Sequence, residues 1–441
     1  MIKRYTRPDM TAIFSDETKY QNLLAVELAI CQAREAEQQI PTGVTRRIKS
    51  ALAEVSIAEI AKRALWIETN PETGTGHDVQ SFVDAVRERL PEDLRRYFHE
   101  ITTSTDTTEP ALFMTICQAG EIILKQLDTL RTALRQLANK YRLVPKIGRT
   151  HTQHGIPSIV GLYFLWWYDY IDRARPAFRR VLNQTRVGKV RGLVGTYDNG
   201  LTPAVEARAL KLLGLKPVKV CGQIILRDRF ARVMNELAVI AGLLENMAVN
   251  IRLGAQTEVR EMSEPFGKGR KGSSHSPHKQ NTDRSENVTG LARVVRNYAG
   301  TGLENIVTWW ERDISHSGPE RIIVEGSFQL VAFMLYRMTG IIEGLRVNEE
   351  QIAHNLNLTC GITNSAEVKT VLMGHGLEPE SAYRLAQRLA FQAFETQQPY
   401  LQLLLISDEV PEQAKQGPLQ ACFELEPKLK HIPAIFSRFG L

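Results

Sequence analysis

The richest chemistry in the chain lies in a polar segment, residues 267–281, between two segments with helical apolar spacing. A loop of Gly, Ser, Lys, His and Pro has few side chains that a core could hold, and such loops often carry function. Ser273 follows a glycine in this loop, and Lys279 and Asn281 come a few residues later. A serine hydroxyl acts as a base only when N–H dipoles and a cation stabilise its alkoxide.

Groups that could stabilise an alkoxide are close in sequence. Arg270, Lys271 and Lys279 carry positive charge, and the Gly-Ser-Ser turn at residues 272–274 offers backbone N–H groups. A solvated basic loop without chemistry is the competing interpretation of this string taken alone. The motifs around it favour the functional interpretation.

The string GSSHSPHKQN resembles the signature loop of the fumarase/aspartase superfamily, G-S-S-x-M-P-x-K-x-N. The resemblance implies that Ser273 removes a carbon-bound proton, and that Lys279 and Asn281 hold the carboxylate on which negative charge builds up. Departures from the pattern leave these three residues in place and therefore bear on the substrate more than on the reaction. They are His275, Ser276, Gln280 and Thr282.

A second motif, GRTHTQHGIP at residues 148–157, places a histidine between two helical segments. Histidine, with a pKa of about 6.5, can deliver a proton at neutral pH, although a lone loop histidine is more often structural. The string resembles the superfamily's G-R-T-H-G-Q-x-A-x-P, which implies that His151 is the general acid or is coupled to it. Thr152 replaces a glycine and Gly155 an alanine, and a side chain at residue 152 is expected to narrow the pocket.

The string TGHDVQSFVDA, from residue 75, is typical of a turn that leads into an amphipathic helix capped by Asp78. It resembles the superfamily's HDV motif. The resemblance implies that His77 binds the substrate and supports the acid, and that Asp78 beside it orients the ring.

A Thr/Ser/Asp cluster at residues 103–106 precedes a long apolar run and is typical of a helix cap. It resembles the family's TSSD motif, which implies that Thr103 and Ser104 hold a carboxylate of a leaving succinyl group. Glu109 and Pro110 stand where the family has Asp and Thr, at positions expected to lie behind the substrate contacts.

The string ERDISHSGPER, from residue 311, has two arginines and a serine at a helix start, a set suited to a phosphate. A surface charge cluster is the competing interpretation. The string is close to ERDISHSSxER of the superfamily branch that acts on a succinylated purine nucleotide, and only Gly318 departs from it. The resemblance implies that Arg312, Ser317 and Arg321 hold the nucleotide phosphate.

Other matches are weaker one by one but follow the same order along the chain. Arg4 and Tyr5 match the branch's N-terminal pair that contacts the nucleotide, and Gln223 in QIILRDR matches a substrate contact. The resemblance extends to about residue 345.

The elements that must position these motifs are long helices. Apolar residues repeat at three or four from residue 110 to residue 144, and similar runs cover about 223–257, 285–310 and 320–345. Alternating Val-Ile-Thr runs are scarce, so the sequence predicts an all-α fold. Apolar stripes this long are hard to cover within one subunit, which favours an oligomeric bundle.

The sequence predicts three domains: an N-terminal helical domain at 1–104, a central long-helix bundle at 105–346 and a C-terminal helical domain at 347–441. The resemblance implies a fumarase/aspartase-like fold in which the central domains of a homotetramer form a 20-helix core. It also implies active sites that three subunits share.

Composition bounds the remaining functional classes. The chain has 441 residues, a net charge of +6 and scattered cysteines, features that predict a soluble cytoplasmic protein that binds neither nucleic acid nor membrane. Nothing suggests a signal peptide or a metal or redox cofactor.

These observations together predict a homotetrameric C–N lyase that eliminates fumarate from a small-molecule succinylated purine nucleotide. One alternative is a sister lyase that acts on another fumarate adduct, suggested by the departures in the signature loop and at Thr152. Others are a non-catalytic structural member of the fold and, last, a helical protein that binds nucleic acid.

Overall fold

The computed structural model describes residues 2–267, 269 and 271–441. Its regular structure is almost wholly helical, which confirms the predicted all-α class. In chain order the helices are α1 (Pro8–Ile13), α2 (Asp16–Ala36), α3 (Val44–Leu52), α4 (Ile57–Thr69), α5 (Asp78–Arg87), α6 (Glu92–Arg95), α7 (Ser104–Lys140), α8 (Val160–Gln184), α9 (Pro203–Leu212), α10 (Asp228–Gly254), α11 (Asp283–Glu304), α12 (Ser317–Glu343), α13 (Glu349–Asn357), α14 (Ser365–Gly374), α15 (Pro379–Thr396), α16 (Tyr400–Ile406), α17 (Glu412–Lys415), α18 (Pro418–Ala421), α19 (Glu426–Leu429) and α20 (Ile432–Ser437).

Short strands and 3-10 turns complete the regular structure. The strands are β1 (Pro145–Thr150), β2 (Gln153–Ile159), β3 (Val187–Gly188), β4 (Lys216–Pro217), β5 (Met262–Ser263) and β6 (Arg346–Val347). They pair as β1 with β2 and β5 with β6, both antiparallel, and as β3 with β4 in parallel. The 3-10 turns are Lys3–Tyr5 and Ile362–Asn364.

Helices α7, α10, α11 and α12 lie where apolar periodicity predicts them, because that periodicity places one side of each helix in a core. Helix α8 is a further long helix, and the predicted runs do not include it. In α7 the residues Ile123, Leu127, Leu130 and Leu134 are fully buried. The predicted start of this helix at Pro110 is wrong, since α7 begins at Ser104 and has Pro110 inside it. A proline near the start of a helix removes one hydrogen bond without ending the helix.

Helix α10 is apolar along most of its length. An 18-residue window in it has a mean hydropathy of 1.3, and 44% of that window is buried within the chain. Length and composition alone would allow this helix to cross a membrane, but a core helix of a bundle has the same composition because it is apolar all round.

One compact unit comprises Met1–Thr129, Asp172–Glu245 and Val288–Arg337. Its core is built mainly from α2, α3, α4, α5 and α9, with α2 against α4 and α9. Helices α7 and α8 approach closely at Gly120, where a Cβ would lie 2.3 Å from Leu182 Cδ1. A larger residue at this position would therefore push the two helices apart.

The other compact unit comprises Leu130–Ile171, Asn246–Asn287 and Met338–Leu441. It holds the β1–β2 hairpin with α13 beside it, and a separate core of α14, α15, α16 and α18. The limits of the two units fall inside α7, α8, α10, α11 and α12. The division into three domains at residues 104 and 346 stays a prediction.

Candidate active site

The signature loop turns back on itself around Ser273. The Ser273 hydroxyl oxygen accepts the backbone N–H groups of His275 at 3.3 Å and Ser276 at 3.0 Å. Two N–H dipoles aimed at one oxygen favour its negatively charged form. The sequence predicts such donors in the Gly-Ser-Ser turn itself, whereas the structure supplies them from the two residues after it. Arg270, one of the predicted cations, lies outside the described residues.

The loop is closed by contacts between its two ends. Asn281 Nδ2 donates to the carbonyl oxygen of Gly272 at 2.7 Å. A Cβ on Gly272 would lie 2.0 Å from the carbonyl oxygen of Lys279, so only glycine permits this approach. Lys279 and Asn281 also line a cavity of about 1160 Å³, which is large enough for a nucleotide-sized ligand.

Both ends of the loop are fixed to the surrounding structure. The buried carboxylate of Glu264 accepts the backbone N–H of Ser285 at 2.7 Å, at the start of α11. On the other side, Arg346 Nη2 donates to the carbonyl oxygen of Phe266 at 3.0 Å, next to the β5–β6 pair. The loop therefore rests on a defined stem.

The proposed acid, His151, lies at the tip of the β1–β2 hairpin rather than in the loop between helices that the sequence suggests. Thr150 pairs with Gln153, so His151 and Thr152 form a two-residue turn. Their φ angles are +51° and +64°, the left-handed pair that a type I′ turn requires. Glycine or asparagine is usual there, and a β-branched threonine is strained.

A buried ion pair connects this hairpin to the loop stem. Arg149 binds Glu261 through two hydrogen bonds, of 3.0 and 2.5 Å, and Asn355 Nδ2 donates to the same carboxylate at 3.0 Å. Burial raises the pKa of Glu261, but the hydrogen bonds from Arg149 outweigh it and hold the pKa below its usual range. Burial and Arg149 also lower the pKa of His154, which favours its neutral form.

In the first compact unit, the structure brings His77 and Ser104 together. His77 caps α5: its Nδ1 accepts the backbone N–H of Gln80 at 3.3 Å. The proton of the neutral ring therefore lies on Nε2, which faces Ser104 Oγ at 3.5 Å. The cap predicted at Asp78 is wrong, since Asp78 is the first residue of the helix, and the contact that orients the ring comes from Gln80.

Asp106 holds the segment that carries Thr103 and Ser104. Its carboxylate accepts the N–H of Thr103 at 3.0 Å, as in a helix capping box. It also accepts the N–H of Arg191 at 2.8 Å and pairs with Lys189 Nζ at 2.8 Å. Asp106 and Lys189 are both fully buried, so the proposed succinyl contacts lie directly above an internal ion pair.

Asp78 pairs with cations instead of with its neighbouring ring. Arg321 Nη2 lies 3.1 Å and Lys19 Nζ 3.6 Å from its carboxylate. Burial raises the pKa of Asp78, but these two cations outweigh it and the pKa lies below its usual range. This contact brings the histidine motif next to Arg321 of the predicted phosphate cradle.

The rest of that cradle lies at the start of α12 and in the turn just before it. Arg312 Nη1 donates to Gln223 Oε1 at 3.3 Å. The Arg312 Nε is buried without a hydrogen-bond partner among the described residues, which leaves a charged N–H available for an anion. Ser317 is the first residue of α12, and its own N–H donates to the carbonyl oxygen of Ile314 at 3.0 Å. The positive end of the helix dipole at this point also favours an anion.

The turn before α12 is held by Asp313. Its carboxylate accepts the N–H of Ser315 at 2.8 Å and that of Trp309 at 2.6 Å. Hydrogen bonds from Ser315 and Trp309 lower the pKa of Asp313 to about 2. The turn is therefore charged and fixed throughout the neutral pH range.

At the N-terminus, Arg4 and Tyr5 lie in the 3-10 turn Lys3–Tyr5. Arg4 is exposed, and the Tyr5 ring contacts Phe333 of α12 edge to face with centroids 5.6 Å apart. The aromatic contact places Tyr5 against the helix that carries Ser317 and Arg321.

Sequence reasoning placed Asp106 in a helix cap and Glu109 behind the substrate contacts, but it missed the other buried charged residues that support the site. A charged residue at a core-facing helical position was the available signal, as at Asp106 and Glu109 in the first turns of α7. The others are Lys189, Arg191, Glu206, Arg227, Glu261, Glu264 and Glu320. Their partners are distant in sequence, so the pairing itself could not be read from local spacing.

Comparison with known proteins gives the class of this one. Residues 3–297 match the family model described as "Lyase", and the chain therefore belongs to this lyase family. Two adenylosuccinate lyases resemble it over its whole length. That of Thermotoga maritima is 38% identical over 439 residues, covering 100% of this chain and 99% of the relative, and that of Bacillus subtilis is 38% identical over 441 residues, covering 100% of both. Within the family, the chain groups with the adenylosuccinate lyases.

Solved structures agree on the fold. A fumarate lyase from Mesorhizobium sp. BNC1 has a TM-score of 0.86 at 21% identity, and a 3-carboxy-cis,cis-muconate lactonizing enzyme from Pseudomonas putida has 0.86 at 24%. Each match covers 98% of this chain and 96% of the other. At these identities the similarity concerns the fold alone, and it confirms the predicted fumarase/aspartase-like class.

The strained turn at Thr152 gives a stability prediction. A left-handed backbone conformation costs an L-residue about 1–2 kcal/mol. Glycine avoids this cost, but its larger conformational entropy in the unfolded chain lowers the free energy of unfolding by roughly 0.5–1 kcal/mol. We therefore expect Thr152→Gly to raise the free energy of unfolding by roughly 0.5 kcal/mol in denaturant titration. Thr152→Ala, which keeps a Cβ, is the matched control and should gain less. A less stable Thr152→Gly variant would contradict the strain at this turn.

Proposed function

We propose that this chain eliminates fumarate from adenylosuccinate and gives AMP. Full-length similarity to adenylosuccinate lyases is the observation that carries the proposal. The phosphate cradle supports a nucleotide as the substrate, because the Nε of Arg312 is buried and has no hydrogen-bond partner in the part of the chain that the structure describes. The same reasoning extends to the succinylated carboxamide imidazole ribotide of purine biosynthesis as a second substrate.

The chemical step divides between a base and an acid. Ser273 takes the proton from the carbon beside a carboxylate, and the electron pair spreads into that carboxylate as an aci-carboxylate. Lys279 and Asn281 stabilise the added charge. The C–N bond then breaks as the C=C bond of fumarate forms, and His151 protonates the departing nitrogen.

Asn281 can keep the loop closed and contact the substrate at the same time. Its Nδ2 donates to the carbonyl oxygen of Gly272 at 2.7 Å, and an amide nitrogen carries two hydrogens, so the second can donate to the substrate carboxylate. That contact is charge-assisted, and such hydrogen bonds are roughly twice as strong as neutral ones.

The two ends of the substrate use different residues. Thr103 and Ser104 hold the succinyl carboxylate, and His77 binds nearby through Nε2 and supports the acid. At the other end the nucleotide is held by Arg4, Tyr5, Gln223, Arg312, Ser317 and Arg321. Asp78 belongs to the substrate-binding set through its ion pair with Arg321.

We further propose a cytoplasmic homotetramer with a 20-helix core from the central domain, residues 105–346, and with shared active sites. Ser273 and His151 belong to one compact unit and the phosphate residues to the other. Shared sites would let different subunits supply these two sets, so dissociation of the tetramer should abolish activity.

The base can be tested by a paired substitution. We expect Ser273→Ala to lower kcat on adenylosuccinate by about 10³-fold, because a positioned base contributes on the order of 10²–10⁴. Ser274→Ala, the same change one residue later, is the control and should stay within a few-fold of the unmodified enzyme. Activity is followed by the absorbance change of the purine. A Ser273→Ala variant as active as the unmodified enzyme would exclude Ser273 as the base.

The nucleotide can be tested at the cradle. Loss of a charge-assisted contact costs about 1.5–3 kcal/mol, so Arg321→Ala should raise KM for adenylosuccinate by roughly 10- to 100-fold. Arg384→Ala removes an exposed arginine of α15 that pairs with Glu380, and it should leave KM unchanged. If Arg321→Ala leaves turnover of the preferred substrate intact, a sister lyase acting on another fumarate adduct becomes the better interpretation.

A further inference from the structure

A buried ion cluster lies behind the phosphate cradle. The Arg227 guanidinium binds both oxygens of Glu109 at 2.7 Å. On its other side, Nε lies 3.0 Å from Glu320 Oε1, but off the N–H direction, and neither atom has a hydrogen-bond partner among the described residues. All three side chains are buried, so one cation faces two carboxylates.

The cluster touches the cradle from two sides. Glu109 also accepts the backbone N–H of Ile225 at 2.8 Å, two residues after Gln223, which binds Arg312. Glu320 lies in the first turn of α12, between Ser317 and Arg321 in sequence. A change in the charge or position of Glu320 would therefore act on residues proposed to hold the phosphate.

The charges around Glu320 leave one carboxylate uncompensated when both acids are ionised. Lys189, which acts on Glu109, is already paired with Asp106 at 2.8 Å. His316, immediately before α12, has a pKa lowered to about 4 by burial and by Arg227, so it adds no charge at neutral pH. Burial raises the pKa of Glu320 to about 7, with Glu109 adding to the shift and Arg227 opposing it.

We propose that Glu320 is a positioning residue whose carboxyl is protonated when the cradle holds a phosphate, so that nucleotide binding takes up a proton. The inference rests on the proposed function only in assigning a phosphate to the cradle. A dianionic phosphate at Arg312 and Arg321 disfavours a second, uncompensated anion behind the same helix turn. Linkage then requires that phosphate affinity falls as pH rises and Glu320 ionises.

The test measures AMP binding by calorimetry at pH 6 and pH 8.5, with the unmodified protein and with Glu320→Gln. The glutamine keeps the shape of the neutral acid and cannot ionise. The ratio of the Kd of the unmodified protein to that of the variant should be near unity at pH 6 and at least about tenfold higher at pH 8.5. Each pH unit above the pKa of Glu320 lowers the affinity of the unmodified protein by up to tenfold. Titration of the AMP phosphate affects both proteins equally and cancels in this ratio.

Two controls test whether the pH dependence belongs to Glu320 and to the phosphate. Glu304→Gln removes an exposed carboxylate at the end of α11 and should behave as the unmodified protein does. The second control uses the unmodified protein alone, titrated with AMP near pH 7.5 in two buffers of different ionisation enthalpy. We expect uptake of a fraction of a proton on AMP binding and none on adenosine binding. This measurement holds even if Glu320→Gln fails to fold.

Folding stability gives an independent readout. The raised pKa means that Glu320 contributes stability that is present below about pH 4.5 and lost as pH rises through about 7. The stability of Glu320→Gln relative to the unmodified protein should therefore increase over that interval.

A Kd ratio that does not change with pH, or AMP binding without proton uptake, would overturn the inference. Absence of turnover with normal pH-dependent AMP binding would instead count against the proposed reaction alone.

Discussion

Buried carboxylates fasten the non-helical segments of this protein to its long helices. A carboxylate taken out of water is costly unless cations and N–H groups surround it, and here many of those groups belong to the segments that carry the site. The carboxylates are Asp106, which binds N–H groups of Thr103, Arg191 and Gly192; Glu109, which binds Ile225 and Arg227; Glu261, which binds Arg149; and Glu264, which binds Ser285. Because each buried acid needs these N–H groups and cations around it, it fixes the position of the loop that supplies them.

The same constraint joins the two segments of one compact unit that carry the proposed acid and the proposed base. Arg149 lies in β1, just before His151 at the tip of the hairpin, and Glu261 begins the segment that leads to Ser273. Because the pair is bidentate and mostly buried, neither segment can shift without leaving a charge unpaired. The N–H groups of His275 and Ser276 then complete the environment of the Ser273 oxygen at the end of that segment.

Long helices and motif residues could be predicted from the sequence because both depend on local spacing. The buried repeat of α7 is visible in the order of its leucines and isoleucines, and the Gly-Ser-Ser string identifies its own loop. The hairpin could not be predicted, since His151 and Thr152 adopt left-handed angles without the usual Asn-Gly signal. The partners of the buried acids also could not, because Glu109 and Arg227 are joined only by the folded chain.

The most direct measurement is the product balance from adenylosuccinate. Purified protein would be incubated with it, and AMP and fumarate would be quantified by chromatography over time. We expect the two products in equal amounts, each matching the adenylosuccinate consumed. Adenylosuccinate that stays intact with folded protein, while another fumarate adduct is cleaved, would contradict the assignment of a purine nucleotide to the cradle at Arg312 and Arg321.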